Sequence, residues 1–327
     1  MKYIVILILV LSSLYAEEEY ELGNGYKIEN LPIYVGGYFA VDYRKKDEQD
    51  RYRIDDIAFL SYGGNNTLSY MLELESKELY KRVEDTGMTS TSEDHKLYVE
   101  RLYVDYRISD YYSLRFGKFN SPIGFWNLIP VNVLRDTTSN PFTTQIIFPR
   151  FTTGVDASYS LFNESLLQAN LMIQDNASID HEYNNYNVRK HYAFGVSREG
   201  ENYTVKLNAG YFTLRNRQPL GDDHLYLLLS TKYEHDKYQL LGEVGVQKFN
   251  SQKNYASYVQ SSYRFDDKHT GVLRFESYKD AALKESDSMA IVGYIYRPIY
   301  PVSFKAEYQQ HKRNIQNQMI LSFSVLF

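Results

Sequence analysis

The sequence contains no cysteine, a single tryptophan and only 8 prolines among its 327 residues. Without cysteine no disulfide can stabilise the chain, so its stability has to come from a large core or a large sheet. Beyond residue 16 no apolar run approaches the roughly 18 residues of a membrane-spanning helix, which excludes such helices there. The formal net charge of −5 argues against a nucleic-acid partner, because nucleic-acid binding needs concentrated Lys and Arg.

Residues 1–16 read MKYIVILILVLSSLYA and have the layout of a secretory signal peptide. Lys2 precedes an apolar run that continues to Leu11, and Ala16 is the small residue before the expected cleavage point. A retained anchor is the alternative, but the run is short for a hydrocarbon core of about 30 Å. Residues 17–30 form a short acidic lead-in, and residues 31–327 are expected to form one domain.

Aromatic residues are abundant, at 16% with 33 tyrosines, although the mean hydropathy is only −0.47. This combination suits a sheet with one apolar face and one wet face. Tyrosine also collects in the interfacial girdles of transmembrane β-barrels. Composition alone fits a soluble β-sandwich as well, so the periodicity of the sequence has to decide.

Apolar and polar residues alternate with a period of two along most of the chain, which indicates strands. Tyr203, Val205 and Leu207 fall on one face, for example, opposite Thr204 and Lys206. The pattern predicts about 16 strands, with 14 or 18 left open, at residues 33–43, 51–62, 67–80, 96–108, 113–119, 150–161, 166–175, 189–198, 203–215, 224–234, 238–249, 254–264, 270–279, 287–297, 302–312 and 316–327. We therefore expect an all-β fold, a closed antiparallel transmembrane barrel without sheet edges.

Short turn signals alternate with longer polar connections, such as residues 44–50 and 81–95. This alternation is typical of an up-and-down meander whose rims face different compartments. Both ends of the barrel fall on the short-turn rim, which we expect to face the periplasm. Residues 51–62 and 287–297 alternate poorly, and a bulge is expected in either of them.

The longest connection, residues 120–149, contains the only tryptophan, Trp126, close to Pro122 and Gly124. A loop of this length in a compact barrel is usually functional. Its apolar residues need a packing surface, and folding back into the lumen supplies one while narrowing the pore. The alternative is an exposed loop that packs on itself or on a neighbouring subunit.

The run RFGKFNSPIGFWN, residues 115–127, resembles the strand before the third loop of Gram-negative outer-membrane porins. It is most similar to the broad group related to the phosphate-selective porins O and P, where this strand often reads R-x-G-x-F-x-x-P-x-G. The resemblance implies a homotrimeric channel whose third loop lines the constriction. It also implies that the terminal Phe327 is read by the barrel-assembly machinery. Phosphate selectivity in that group depends on a dense basic ladder, which this predicted lumen does not show.

The charges predicted to face the lumen nearly cancel. The basic ones are Arg53, Lys77, Arg101, Arg107, Arg115, Lys206, Lys232, Arg274 and Lys305, and the acidic ones are Asp42, Asp55, Glu73, Glu75, Asp105, Asp156, Glu243, Glu276 and Glu307. Opposed charges across a constriction set up a transverse field. The pore-lining candidates are Arg101, Asp105, Arg107 and Arg115, with Lys118, Arg135, Asp136 and Arg150 around the loop. For each of them the alternative is a solvated charge paired with a cross-strand neighbour.

A barrel of this strand number leaves an aqueous channel, so we expect passive diffusion of small hydrophilic solutes and ions across the outer membrane. The expected partners are membrane lipid, those solutes and the barrel-assembly machinery; no cofactor or metal is expected. A surface or structural protein, a transporter of hydrophobic substrates and a barrel enzyme of the lipase or protease type are the alternatives. An enzyme would need a fixed Ser–His or carboxylate pair, and the histidines are scattered. His181 and His191 beside Asp180 and Glu182 give only a weak metal signal.

Overall fold

The computed structural model describes residues 20–162, 165–215, 223–312 and 316–327, which form a closed antiparallel β-barrel of sixteen strands. The strands are β1 (Tyr20–Glu21), β2 (Gly25–Lys27), β3 (Ile33–Lys46), β4 (Gln49–Gly64), β5 (Leu68–Asp85), β6 (Met88–Ser92), β7 (Tyr98–Arg107), β8 (Tyr112–Asn120), β9 (Phe151–Phe162), β10 (Leu166–Gln174), β11 (Val188–Glu199), β12 (Tyr203–Leu214), β13 (Asp223–His235), β14 (Tyr238–Phe249), β15 (Gln252–Arg264), β16 (His269–Asp280), β17 (Glu285–Tyr296), β18 (Val302–His311) and β19 (Gln318–Leu326).

Two features account for the strands beyond the sixteen of the barrel. Both β6 and β7 pair with β5, so together they form one interrupted barrel strand. The short strands β1 and β2 form a hairpin that pairs with the start of β3. The expected lead-in is therefore partly strand from Tyr20 onwards, whereas the expected signal peptide, residues 1–16, lies outside the described residues.

The barrel closes where β19 pairs with β3, so that Met319 opposes Lys45 and Leu326 opposes Tyr38. Phe327 continues this pairing: its N–H donates to the Gly37 carbonyl at 2.8 Å, and the Gly37 N–H donates back at 2.7 Å. The expected closure of the sheet by the last strand is confirmed.

The two faces of each strand differ as the period of two predicts. In β13, Leu225, Leu227 and Leu229 are exposed on the outer surface, whereas Tyr226 and Leu228 are buried inside. Successive side chains of a strand point to opposite faces, so the same rule gives each strand an apolar outer face. Among the described residues, no helix has the length and apolar character that a membrane span requires.

Two expected connections turn out to be largely strand. Residues 81–95 continue β5 and turn into β6, and residues 44–50 contain a tight turn at Asp47 and Glu48. The 18 residues of β5 are about 60 Å long at roughly 3.3 Å per residue, so even a tilted strand extends beyond the hydrocarbon core of about 30 Å. Outside the membrane both faces of a strand are polar, and this removes the alternation on which the prediction relied.

The register of the sheet decides between the two expected bulges. The pairing of β4 with β5 shifts between Ile54 and Asp56, which confirms the irregularity expected in residues 51–62. By contrast, β17 pairs regularly with both of its neighbours, so the bulge expected in residues 287–297 was wrong.

Candidate functional site

A long segment, residues 121–150, connects β8 to β9 and consists mainly of irregular backbone. It contains two 3-10 turns, Trp126–Leu128 and Asn132–Leu134, and one helical turn, Thr143–Ile146. Its two ends are tied together, because the Ser121 hydroxyl donates to the Pro149 carbonyl at 2.7 Å. The segment thus leaves and re-enters the sheet at one place on the rim.

Glu243 of β14 holds the first part of the long segment. Its Oε1 accepts the backbone N–H of Phe125 at 2.6 Å and that of Trp126 at 3.3 Å, and its Oε2 accepts the Thr143 hydroxyl at 2.9 Å. The close approach depends on Gly124, whose φ is +68° and whose added Cβ would lie 2.6 Å from the same Oε1. Glycine adopts such a backbone conformation without steric cost, which explains the residue at this position.

Two further carboxylates repeat this arrangement on alternate strands. Glu307 of β18 accepts the backbone N–H of Thr138 at 3.0 Å, and Glu276 of β16 accepts that of Phe142. All three glutamates are buried and face the inside of the barrel. Hydrogen bonds to an ionised acceptor are roughly twice as strong as neutral ones, so these contacts can fix an irregular segment.

Cations of the wall bind the oxygen atoms of the same segment. Lys206 of β12 donates to the Gly124 carbonyl at 3.3 Å, and Lys305 of β18 donates to the Asn132 side-chain oxygen at 2.9 Å. Both lysines are buried. Wall charges of both signs are thus used to satisfy the backbone and side chains of the long segment.

Arg274 of β16 lies under the only tryptophan. Its guanidinium is 5.4 Å from the Trp126 ring and donates to the Ser139 carbonyl at 3.1 Å. The Trp126 ring makes an edge contact with Tyr258, and its N–H donates to Asn140 at 3.1 Å. Stacking on an aromatic face stabilises a guanidinium that is withdrawn from water.

Apolar side chains of the long segment pack on the other side of the barrel. Val131 and Val133 form a buried cluster with Tyr38, Ala58 and Leu60 of β3 and β4. A larger cluster joins the segment to the remaining wall through Phe119, Ile123, Ile146, Ile147, Phe148, Met172, Phe212, Leu228 and Ile291, among others. The segment therefore contacts inward-facing residues around most of the barrel.

The predicted pore-lining residues of β7 and β8 form cross-strand ion pairs. Arg115 binds both oxygens of Asp105, at 2.6 and 2.8 Å, and Arg101 pairs with Glu73. Arg107 is exposed at the end of β7. Their register puts these side chains on the inner face, and the alternative of a charge paired with a cross-strand neighbour describes three of them, Arg101, Asp105 and Arg115.

Lys118 differs from its predicted position. It opposes the exposed Leu102 in the pairing of β7 with β8, so it lies on the outward face. Its ammonium group donates to the carbonyls of Val99 at 2.6 Å and Asp180 at 3.0 Å. Residues 115 and 118 are three positions apart, so in a strand their side chains point to opposite faces. Because Arg115 faces inwards, Lys118 faces outwards, and its prediction as a pore-lining residue was wrong.

Of the three charged residues of the long segment that are predicted to line the pore, the structure brings two to the same cavity. Arg135 donates to carbonyls of its own segment, whereas Asp136 accepts the Ser262 hydroxyl at 2.7 Å and lies 3.5 Å from Arg297. Arg135 and Arg150 line one cavity of about 630 Å³, and Asp136 does not line it. The Pro122 carbonyl accepts a hydrogen bond from Asn208 of the wall.

The cavity that Arg135 and Arg150 line carries charges of both signs. Its basic residues are Arg44, Arg53, Lys77, Arg135, Arg150 and Arg274, and its acidic residues are Asp55, Asp56, Glu78, Glu100 and Glu276. The sequence prediction missed Arg44, Asp56, Glu78 and Glu100. A shift in the pairing of β5 with β7 leaves Glu100 unpaired, and its carboxylate accepts the inward-facing Tyr38 hydroxyl at 3.2 Å. A strict period of two cannot anticipate such a shift.

Within the described residues, one group of acidic side chains is spaced closely enough to hold a metal ion. Carboxylate oxygens of Glu73, Glu75 and Glu100, all on the barrel wall, lie within 4.8 Å of one another. Tyr38 and Arg101 already bind Glu73. The other metal signal of the sequence is not assembled. The two ring nitrogens of His191 contact Thr152 and Tyr226, and Glu182 pairs with Lys96.

Comparison with solved structures identifies the architecture. An anion-selective porin from Comamonas acidovorans aligns with a TM-score of 0.62 at 12% identity, covering 90% of this chain and 99% of that one. The outer-membrane channel DcaP of Acinetobacter baumannii aligns with a TM-score of 0.61 at 12% identity, covering 93% and 100%. The trimer form of OmpT from Vibrio cholerae aligns with a TM-score of 0.60 at 8% identity, covering 90% and 99%. At such low identities these similarities show the fold alone.

Sequence comparison adds the family. No curated protein sequence matches the chain. Residues 58–255, more than half of the 327, match the family described as phosphate-selective porin O and P. The match includes β8 and the long segment, with the residues on which the resemblance was based. The chain belongs to the phosphate-selective porin O and P family, and as a porin it is a passive diffusion channel of the Gram-negative outer membrane.

Proposed function

We propose that the long segment forms the constriction of this porin and that small hydrophilic solutes and ions pass through the space it leaves free. The observation that carries the proposal is the set of buried wall charges bonded to the segment, chiefly Glu243, Glu307 and Lys305. A sixteen-stranded barrel is wide enough for an aqueous channel. A segment fixed inside it reduces the free cross-section without closing it.

The predicted pore-lining residues have graded roles in this proposal. Arg135 and Arg150, which line the charged cavity, are proposed to meet the solute in the lumen beside the long segment. Arg101, Asp105 and Arg115 contribute paired charges to the wall, and a paired charge creates a weaker field than a free one.

We also propose that the protein acts as a homotrimer and is not an enzyme. The trimer form of the OmpT structure supports the first point. For the second, Ser121, Thr152 and His191 form a hydrogen-bonded row, but all three are fully buried, so a substrate cannot reach them. Membrane lipid is the proposed partner of the exposed apolar outer face, and the barrel-assembly machinery remains the proposed route of insertion.

Planar-bilayer recording tests the proposed function. Purified folded protein should insert in discrete conductance steps that scale with the conductivity of the bathing salt. The same preparation unfolded by heating in detergent is the control and should give no steps. Folded protein that inserts but conducts no ions would contradict the proposal.

A further inference from the structure

Four lysines cluster on the outer surface of the barrel, at the rim opposite to both chain ends. Lys248 lies one residue before the end of β14 and opposes Lys253 of β15, while Lys279 lies on β16 and Lys284 in the turn that follows it. All four are exposed. Lys253, Lys279 and Lys284 line one cavity of about 520 Å³, in which Glu285 is the only acidic residue among those that the structure describes. These four residues are called the lysine patch below.

The lysine patch has no bonded partner in the part of the chain that the structure describes. None of its side chains forms an ion pair or a hydrogen bond with any residue that the structure describes. Other lysines near this rim are paired, since Lys190 lies 2.8 Å from Asp175 and Lys96 lies 3.3 Å from Glu182. The patch therefore has an excess of positive charge that is available to an external anion.

The nearby acids cancel only part of this charge, because Glu285 in the same cavity offsets one of the four lysine charges. Asp280 and Asp287 stand at the ends of β16 and β17, but both are buried on the inner face. Asp287 is already bound to His311 at 2.7 Å, and Asp280 accepts the backbone N–H of Ala282 at 2.9 Å.

An apolar groove of about 740 Å³ runs along the outer face of the same strands, directly below the patch. Val244, Val259 and Phe275 line it together with small residues, among them Gly242 and Ser277. Ser277 and Lys279 are on the same face of β16, two residues and so about 7 Å apart. The groove and the lysine patch are thus continuous.

We propose that this face binds one phosphorylated lipid of the surrounding leaflet, with its phosphates on the lysine patch and an acyl chain in the groove. Exposed ammonium groups attract phosphate electrostatically, and the apolar walls match a hydrocarbon chain. A second copy of the chain is the alternative occupant; a contact in the proposed trimer would join this face to a different face of the neighbour, which need not carry the negative charge that four lysines require. The proposal depends on the membrane location and not on conduction.

Lipid retention by purified protein tests the site. The variant carries Lys248→Gln, Lys253→Gln, Lys279→Gln and Lys284→Gln; the matched control carries Lys27→Gln, Lys45→Gln, Lys237→Gln and Lys268→Gln, which removes the same charge from exposed lysines elsewhere. Native mass spectrometry then measures binding of diphosphorylated lipid A, of lipid A without phosphates, and of inorganic phosphate. Wild type and control should retain the phosphorylated lipid, and the variant should retain at least about fivefold less.

The measurements with inorganic phosphate and with dephosphorylated lipid, together with the oligomeric state of the variant, distinguish a bound lipid from free phosphate and from a subunit contact. Inorganic phosphate should not displace the lipid, and the dephosphorylated lipid should bind wild type as weakly as the phosphorylated lipid binds the variant. Equal retention by variant and control, or equal binding of both lipids, would overturn the proposal. Loss of the oligomer in the variant, with lipid retention unchanged, would assign the face to a subunit contact and would also overturn it.

A second variant keeps the test decisive if the first folds poorly. Gly242→Leu with Ser277→Leu fills the groove and leaves the lysine patch intact. Folding of each protein is checked by its heat-dependent migration on a gel. Retention should fall in the groove variant, and unchanged retention would remove the acyl-chain part of the proposal.

Discussion

The backbone N–H of Phe125 donates to the Glu243 carboxylate at 2.6 Å across a separation of 118 residues. The contact joins the start of the long segment to the opposite part of the wall. Glu276 and Glu307 do the same further along, so the wall charges have a structural task besides any effect on passing ions. Each such charge-assisted bond contributes about 1.5–3 kcal/mol.

Removing the first of these carboxylates should loosen the segment. In Glu243→Ala the buried N–H groups of Phe125 and Trp126 lose their acceptor, which costs about 1–3 kcal/mol. Single-channel recordings should therefore show larger current fluctuations and a higher mean conductance. Asp105→Ala, which removes an inward acid that does not contact the segment, is the control and should leave the fluctuations unchanged. Equal noise in both variants would show that Glu243 does not hold the segment.

A methyl group at Gly124 should have a related effect. Gly124→Ala forces a side chain into φ +68° and towards Glu243 Oε1, and the backbone strain alone costs about 1–2 kcal/mol. Gly87→Ala is a matched control, because Gly87 has φ +84° and nothing within 4 Å of the added Cβ. Urea unfolding in detergent micelles should show a larger loss of stability at position 124. Equal losses would mean that the close contact with Glu243 is absent in solution.

Deleting residues 122–141 should raise the conductance of each channel step. This deletion removes the backbone partners of Glu243 and the partners of Glu307 and Lys305 in the segment, and so enlarges the free cross-section. The measurement is step conductance in a planar bilayer, compared with wild type at the same salt concentration. A folded deletion variant with unchanged conductance would place the segment outside the conduction path.

Acid should selectively weaken the turn between β15 and β16. The Lys268 and His269 N–H groups bind the Asp266 carboxylate and hold its pKa below the ordinary value of 3.8. The carboxylate therefore stabilises the folded state above its ordinary pKa, and this stabilisation is lost as the pH falls through the lower folded pKa. Asp266→Ala should unfold at lower urea than wild type at pH 6, and the difference should shrink below about pH 4. The neighbouring Asp267→Ala, which removes a carboxylate from the same turn, is the matched control; a difference for Asp266→Ala that stays constant with pH would contradict the explanation.

The barrel strands could be predicted because lipid and water impose opposite demands on alternate residues. The pattern of β13 is satisfied by only one register, in which Leu225, Leu227 and Leu229 face outwards and Tyr226 and Ser230 face inwards. The prediction failed where this contrast disappears, as in residues 81–95, which lie on the far part of β5 and on β6 and are polar on both faces.

The path of the long segment could not be read from the sequence. Its length indicated a functional loop and its apolar residues indicated a packing surface, but its contacts depend on Glu243, Glu276 and Glu307, which were predicted only as inward charges. A local pattern cannot tell whether such a charge meets water or a backbone N–H more than a hundred residues away. Glu100 was missed for a similar reason, because its position depends on a register shift in a neighbouring strand.

A disulfide between the long segment and the wall tests the central claim most directly, because the chain has no cysteine of its own. The hydroxyls of Thr138 and Ser322 are 2.6 Å apart, with Ser322 on the inner face of β19. In protein isolated from outer membranes, Thr138→Cys with Ser322→Cys should form an intramolecular disulfide that mass spectrometry detects, and oxidation should leave the conductance unchanged. Thr138→Cys with Ser158→Cys, on β9, is the control and should keep free thiols. Free thiols at positions 138 and 322 in the folded, oxidised protein would contradict a constriction held inside the barrel.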